Sequence, residues 1–242
     1  MGLITGQGWP AEEYEAVALP AAPETDRSLG SAVFRRRSAR PSRRAVLHLH
    51  DLAGSFAPAD LVRWYNERGF HFYVTDLDMR EPLDGAPRRR LAKAQPAAFG
   101  ALDAAVNFLR AADGIDAIIL SAQESAGLTA AQWCDARRAS RPVDALILSR
   151  PDFGRARENM DIACPVLVIS GPRQDAPRQD RRTRRGRDTI RLGQHVTWLQ
   201  IDELPAAEGA EPAPNPEHRR LFDEMGRWLG AYMYGNVRDQ LL

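Results

Sequence analysis

The sequence predicts a layered α/β domain with a mainly parallel sheet flanked by helices, and three observations predict it. Six short aliphatic or β-branched runs recur along the chain, amphipathic stretches of helical length separate them, and no internal repeat period breaks the alternation. With 242 residues and 44% apolar content, one domain over 1–242 is expected. A core of that size buries roughly 70% of the surface of the unfolded chain, so neither disulfides nor a structural metal is required.

After a Pro- and Arg-rich opening, Tyr14 to Leu19 and segment 30–35 read as an antiparallel opening hairpin. Ala45 to Leu49 is the first buried run. Pro58 then opens Ala59-Asp60-Leu61-Val62-Arg63-Trp64-Tyr65 as a crossover helix, with Gly69 as its C-terminal cap. Phe70 to Val74, Ala117 to Leu120, Ala145 to Leu148, Val166 to Ile169 and Val196 to Ile201 follow as strands. Their near-continuous apolar character suits parallel strands covered on both faces. Residues 97–112, 126–139 and 216–234 read as helices, the last placing Leu221, Met225, Trp228, Leu229 and Tyr232 on one face. Trp133 and Cys134 fall on the second of these and are expected in the core. Two stretches read as loops: 172–191, with eight Arg and three Asp, and the acidic, Ala/Pro-rich 203–217.

Charge narrows the partner classes. The 33 basic and 32 acidic side chains leave a net charge of +1, which disfavours a nucleic-acid binder driven by bulk electrostatics. In 172–191 the arginines Arg178, Arg181, Arg182, Arg184, Arg185 and Arg187 could hold phosphate or an acidic partner. Interspersed Asp175, Asp180 and Asp188 and the absence of aromatics favour a solvated loop instead. Lys93 is the only Lys, a bias that points to a GC-rich genome more than to a function. Cys134 and Cys164 form no framework, and neither a signal pattern nor a membrane-length apolar run is present, so a cytoplasmic protein is expected.

Several local sequences, in order, resemble the α/β-hydrolase family, specifically its bacterial serine aminopeptidase-like or monoacylglycerol-lipase-like branch. Arg44-Ala45-Val46-Leu47-His48-Leu49-His50-Asp51 is similar to that branch's strand ending in His-Gly, and Arg68 to Leu77 to its next strand ending in Asp-Leu. Phe99 to Val106 resembles the helix leading to the nucleophile strand. Val143 to Pro151 resembles the segment that runs from Val-Asp through a Leu-rich strand to Ser-Pro. Cys164 to Ser170 is similar to the strand before the acid, and Phe222 to Tyr232 to the closing helix. The resemblance implies an α/β-hydrolase fold over nearly the whole chain and no cofactor.

The hydrolytic residues of that family do not carry over. Its G-x-S-x-G turn lifts a Ser above the sheet on a strained backbone. Here the turn reads Ala122-Gln123-Glu124-Ser125-Ala126-Gly127, with Glu124 at the nucleophile's place and Ser125 one residue out of register. After the last strand, where the resemblance implies a catalytic His, the turn reads Asp202-Glu203-Leu204-Pro205-Ala206-Ala207; the five histidines are His48, His50, His71, His195 and His218. The acid position falls on Gln174, beside Asp175, and the family's long lid shrinks to Asp152 to Ala163. Without a base a Ser is a poor nucleophile, so serine hydrolysis is not expected.

The rewritten turn brings other residues forward. By the resemblance, Asp51 and Glu124 come to the mouth of the sheet near His50, under the backbone amides of Leu52 and Ser125 that would form the oxyanion hole. Close carboxylates repel and split into an acid and a base, which suits isomerisation, elimination, cyclisation or hydration. Glu124 could also attack carbon directly as a carboxylate nucleophile. Alternatively Glu124 fills the old oxyanion hole with its own carboxylate and is inert. His50, Asp51 and Glu124 are also acceptable metal ligands, although their spacing matches no known signature and no metal is expected. The expected function is therefore a non-hydrolytic binding or partner protein, with a repurposed enzyme as the alternative. Its partner is an unknown small molecule or a protein, such as an intact hydrolase homologue or a second copy, with no membrane involved and nucleic acid disfavoured.

Overall fold

The computed structural model describes residues 14–19, 32–50, 59–76, 88–151, 153, 159–170, 191–201 and 216–234. The chain divides into two compact units, 1–116 and 117–242, each with its own run of strands.

In the first unit β1 (Glu15–Ala18) and β2 (Ala32–Arg36) pair antiparallel, with Glu15 opposite Arg35 and Ala18 opposite Ala32. β2 pairs antiparallel with β4 (Phe70–Asp76), and β4 pairs parallel with β3 (Arg44–His50), in the register Arg44 to Phe70 through His50 to Asp76. The strand order is thus β1-β2-β4-β3. The expected opening hairpin is present as an antiparallel pair. Between β3 and β4, α1 (Ala59–Glu67) buries Val62, Trp64 and Tyr65. Gly69 ends it at φ +77°, a left-handed position that costs glycine nothing. Tyr65 meets Phe70 and Phe72 at ring separations of 5.8 and 5.9 Å, which seats α1 on the face of β4 those residues share.

The longest helix, α2 (Arg88–Ala111), begins nine residues before the expected 97. Pro96 lacks an N–H and marks a boundary in the sequence, yet the helix runs through it. Its apolar residues Ala98, Leu102, Ala105, Val106 and Leu109 are buried at three- and four-residue spacing. Past its end, Asp113 accepts both Nη1 contacts of Arg35, at 2.6 and 2.7 Å, and the hydroxyl of Tyr73 at 2.6 Å. Burial pushes the Asp113 carboxyl up, but the bonds from Arg35 and Tyr73 and the charges of Arg35 and Arg37 outweigh it and hold the group below its ordinary range. On the same face His71 is buried. Its Nδ1 accepts the Ser38 N–H at 2.9 Å, so the ring proton sits on Nε2, which donates to the Ser42 carbonyl at 3.0 Å.

The described strands of the second unit are parallel: β5 (Ala117–Gln123), β6 (Ala145–Ser149), β7 (Val166–Ser170) and β8 (Val196–Gln200) lie in sequence order. The interiors of β5, β6 and β7 are buried, as their unbroken apolar runs require. The Asp144 carboxylate accepts the Ile118 N–H at 2.8 Å, aligning the starts of β5 and β6. α3 (Glu124–Ala136) buries Trp133 and Cys134. Cys134 touches Cys164; that contact and burial raise its thiol well above the ordinary range, and both cysteines are free. α4 (Pro216–Leu229) runs into a π-helical turn, Gly230–Tyr234. Met225, Trp228 and Leu229 are buried, Leu221 and Tyr232 half-buried, and Trp228 Nε1 donates to Thr197 Oγ1 of β8 at 3.1 Å. Among the described residues no helix is long and apolar enough to cross a membrane. The Arg-rich 172–190 and the acidic 203–215 lie outside the described residues.

Two predictions follow from the polar groups of the first unit. Asp113→Ala leaves Arg35, whose side chain is 12% exposed, without its buried partner. It should cost about 3 kcal/mol in urea unfolding, and Tyr73→Phe about 1.5 kcal/mol. His71 is held below its ordinary value mainly by burial. The folded protein therefore binds that proton less readily than the unfolded chain, so the stability from neutral His71 is full above about pH 6.5 and lost below it. Unfolding free energies from about pH 7.5 down to about 5.5 should fall in the wild type and fall less in His71→Asn.

Candidate functional site

β5 ends at Gln123 and α3 begins at Glu124, so the strand becomes a helix with no intervening loop. The reversal puts Glu124 at φ +46°, a left-handed position rare for a side chain with a Cβ. Glu124 therefore stands on the strand-to-helix turn, as the sequence predicts. Ala122 and Ala126 are both buried. Gly127 is needed for a different reason: a Cβ there would lie 3.0 Å from Cβ of Pro151, so only glycine lets the first turn of α3 approach that segment without displacement.

β6 supplies the partner. Gln123 of β5 lies opposite Ser149 of β6, so the next residues on the two strands, Glu124 and Arg150, emerge side by side at the carboxyl ends. Arg150 is left-handed as well, at φ +47°. Its Nη2 donates to Glu124 Oε1 at 2.8 Å, with the two side chains 41% and 48% exposed. The carboxylate thus carries a cationic partner, in reach of solvent, at the strand edge where open α/β sheets form their crevices.

Sequence reasoning gave Arg150 no role, because the signal lies in the register of two parallel strands that end in step, which only the structure shows. His50 is the last residue of β3, opposite Asp76, with its side chain outside what is described. Asp51 and Leu52 lie outside the described residues, and Ser125 is described only through its backbone in α3. Gln174 and Asp175 are outside as well. His195 is exposed just before β8, and His218 lies on α4. Among the described residues no three His, Cys, Asp or Glu side chains gather as a metal set.

β6 and β7 are joined by residues 150–165, of which 150, 151, 153 and 159–165 are described. In that connection Phe153, Met160 and Ile162 are buried. Met160 N–H donates to the Arg191 carbonyl at 2.7 Å, and Asp161 N–H to Asp135 Oδ1 at 2.7 Å.

No protein-family model and no curated protein matches the chain. Solved structures do. Est1E from Butyrivibrio proteoclasticus has a TM-score of 0.61 at 10% identity, covering 90% of this chain and 99% of that one. Esterase 2 of Thermogutta terrifontis, phosphorylated by paraoxon, has 0.61 at 14% identity over 90% and 94%. Dienelactone hydrolase from Anabaena variabilis has 0.61 at 16% identity over 91% and 99%.

The left-handed turn yields a stability prediction. Glu124→Gly relieves backbone strain and loses the ion pair, whereas Glu124→Ala loses the pair and keeps the strain. Thermal or urea unfolding should find the Gly variant about 1 kcal/mol more stable than the Ala variant. Equal stabilities would mean the turn carries no strain.

At identities this low the likeness is one of fold, and it agrees with the mainly parallel strands and flanking helices: the chain has the α/β-hydrolase fold.

Proposed function

We propose that the chain is a non-hydrolytic binding or partner protein of α/β-hydrolase-like build, read as one domain over 1–242, in which the Ser and His of the hydrolytic triad are replaced. The observation that carries the reading is Glu124 on the strand-to-helix turn with its carboxylate bonded to Arg150. The turn that holds a Ser in the hydrolytic pattern holds here a carboxylate already engaged by a guanidinium, and Glu124 cannot take a Ser's part in acyl transfer. A small molecule or a second protein, an intact hydrolase homologue or another copy of the chain among them, is the proposed partner. The cytoplasm is the proposed compartment.

A repurposed enzyme is the second reading, and one observation favours it. Left-handed backbone at a residue with a Cβ is a form of strain that concentrates at functional sites. In that reading Glu124 and Asp51 serve as an acid/base pair beside His50, or Glu124 serves as a carboxylate nucleophile, and Leu52 and Ser125 supply the oxyanion-hole amides.

Thermogutta esterase 2 is phosphorylated by paraoxon. Under the proposal, this chain incubated with paraoxon or a fluorophosphonate should gain no mass by intact-protein mass spectrometry and should turn over p-nitrophenyl esters no faster than buffer. Stoichiometric modification of Ser125 would overturn it. The two readings part at Glu124→Gln, assayed on a ligand found by thermal stabilisation of the wild type. A binding protein should change by about 1 kcal/mol or less in ligand affinity. An enzyme should lose about 100-fold or more in turnover with its fold intact.

A further inference from the structure

The first unit carries a second charged surface, at the amino ends of β3 and β4. Three loops meet there. The β2–β3 loop brings Arg37, Arg40 and Arg43, with Arg44 opening β3; the turn after α1 brings Arg68; the turn before β5 brings Asp113 and Asp116. Seven residues of β3 separate this edge from His50, roughly 20 Å away.

Among the described residues the charges do not cancel. Asp113, 7% exposed, is turned inward on Arg35 and Tyr73, and Arg37 reaches it at 3.3 Å. Asp116 pairs with Arg43 at 2.9 Å. Among the described residues this edge then carries five arginines and two exposed carboxylates, Asp116 and Glu67, with Arg44 and Arg68 also donating to the Arg68 and Trp64 carbonyls. Arg37 and Arg43 remain 53% and 70% exposed despite their pairs. The exposed Arg40 side chain has no hydrogen bond or ion pair among the described residues.

The loop is also held in one shape. Ser38 donates its N–H to His71 and its hydroxyl to the Asn66 carbonyl at 2.8 Å, and the Ser42 carbonyl accepts from His71. Asn66 donates to the Phe70 carbonyl at 2.8 Å. Guanidinium groups displayed on a fixed loop lose less entropy on capturing an anion than groups on a mobile one.

We infer that this surface docks an acidic, carboxylate-rich protein segment. Two features favour protein over nucleic acid. Among the described residues the nearby aromatic faces are already covered, Trp64 by Arg68 at 4.2 Å and Phe70 by Arg44 at 5.0 Å, and so are not open to stack a base. Asp116 and Glu67 interrupt the positive field, which repels a continuous phosphate backbone but suits a peptide with its own mixed charges.

The test is fluorescence anisotropy of a labelled poly-glutamate peptide on the full chain, with a single-stranded RNA oligonucleotide in parallel. The peptide should bind the wild type and weaken as salt rises from about 50 to about 300 mM. Arg40→Glu, at an exposed side chain without partners among the described residues, should weaken binding about tenfold with an unchanged far-ultraviolet circular dichroism spectrum, and Arg40→Lys should restore most of it. Absence of peptide binding to the wild type, or binding indifferent to Arg40→Glu, overturns the inference. Tighter capture of the RNA, lost in Arg40→Glu, overturns the partner class. Arg40 lies outside the Glu124–Arg150 pair, so failure here leaves the reading of that pair standing.

Discussion

A strand that becomes a helix within one residue must reverse through a left-handed backbone, and β5 does so at Glu124. The rest of the second unit is arranged around that reversal. It sends α3 back along the sheet, places Ala126 and Gly127 in the core and brings the first turn of the helix against Pro151. β6, in step with β5, then reaches its own left-handed residue beside the first. The turn thus fixes which side chains stand at the carboxyl edge, and here they are a carboxylate and a guanidinium.

The first unit depends on a different device. β1 and β2 run antiparallel at the margin of its strands, where an edge has few ladder bonds to hold it. Arg35 ties that margin down, reaching Glu15 on β1 and Asp113 beyond α2 at once. Buried ion pairs add little net stability relative to apolar packing, but breaking one is costly, so such a group enforces register more than it adds strength. His71 does similar work in neutral form, fastening the loop that leads into β3.

Most strands were legible because parallel strands covered on both faces must be apolar throughout, and short runs such as Ile118 to Leu120 and Val166 to Ile169 betray that. Boundaries were less so. The helix expected from 97 starts at Arg88 and runs through Pro96, because the packing of Leu102, Val106 and Leu109 that holds the rest of the helix in place is not visible in the sequence. Glu124 could be placed because the turn is local. Arg150 could not, because its contact depends on how β5 and β6 align, and register is set by the whole pair of strands. The contact of Cys134 with Cys164 was hidden for the same reason.

Energetics decides what the Glu124–Arg150 pair is for. A left-handed position costs a side chain with a Cβ about 1 to 2 kcal/mol, and this edge holds two of them. An ion pair as open to solvent as this one returns roughly 0.2 to 1 kcal/mol, and a carboxylate on the first turn of a helix adds at most a similar amount. The pair does not offset the strain, so the backbone is held left-handed by the topology of strand and helix, and glycine at either place would be the less costly residue. Glu124 and Arg150 are therefore poorly explained as stabilising groups. What they add is chemical: adjacent opposite charges at the strand edge, half open to water, which give that edge a polarity that a neutral turn would lack.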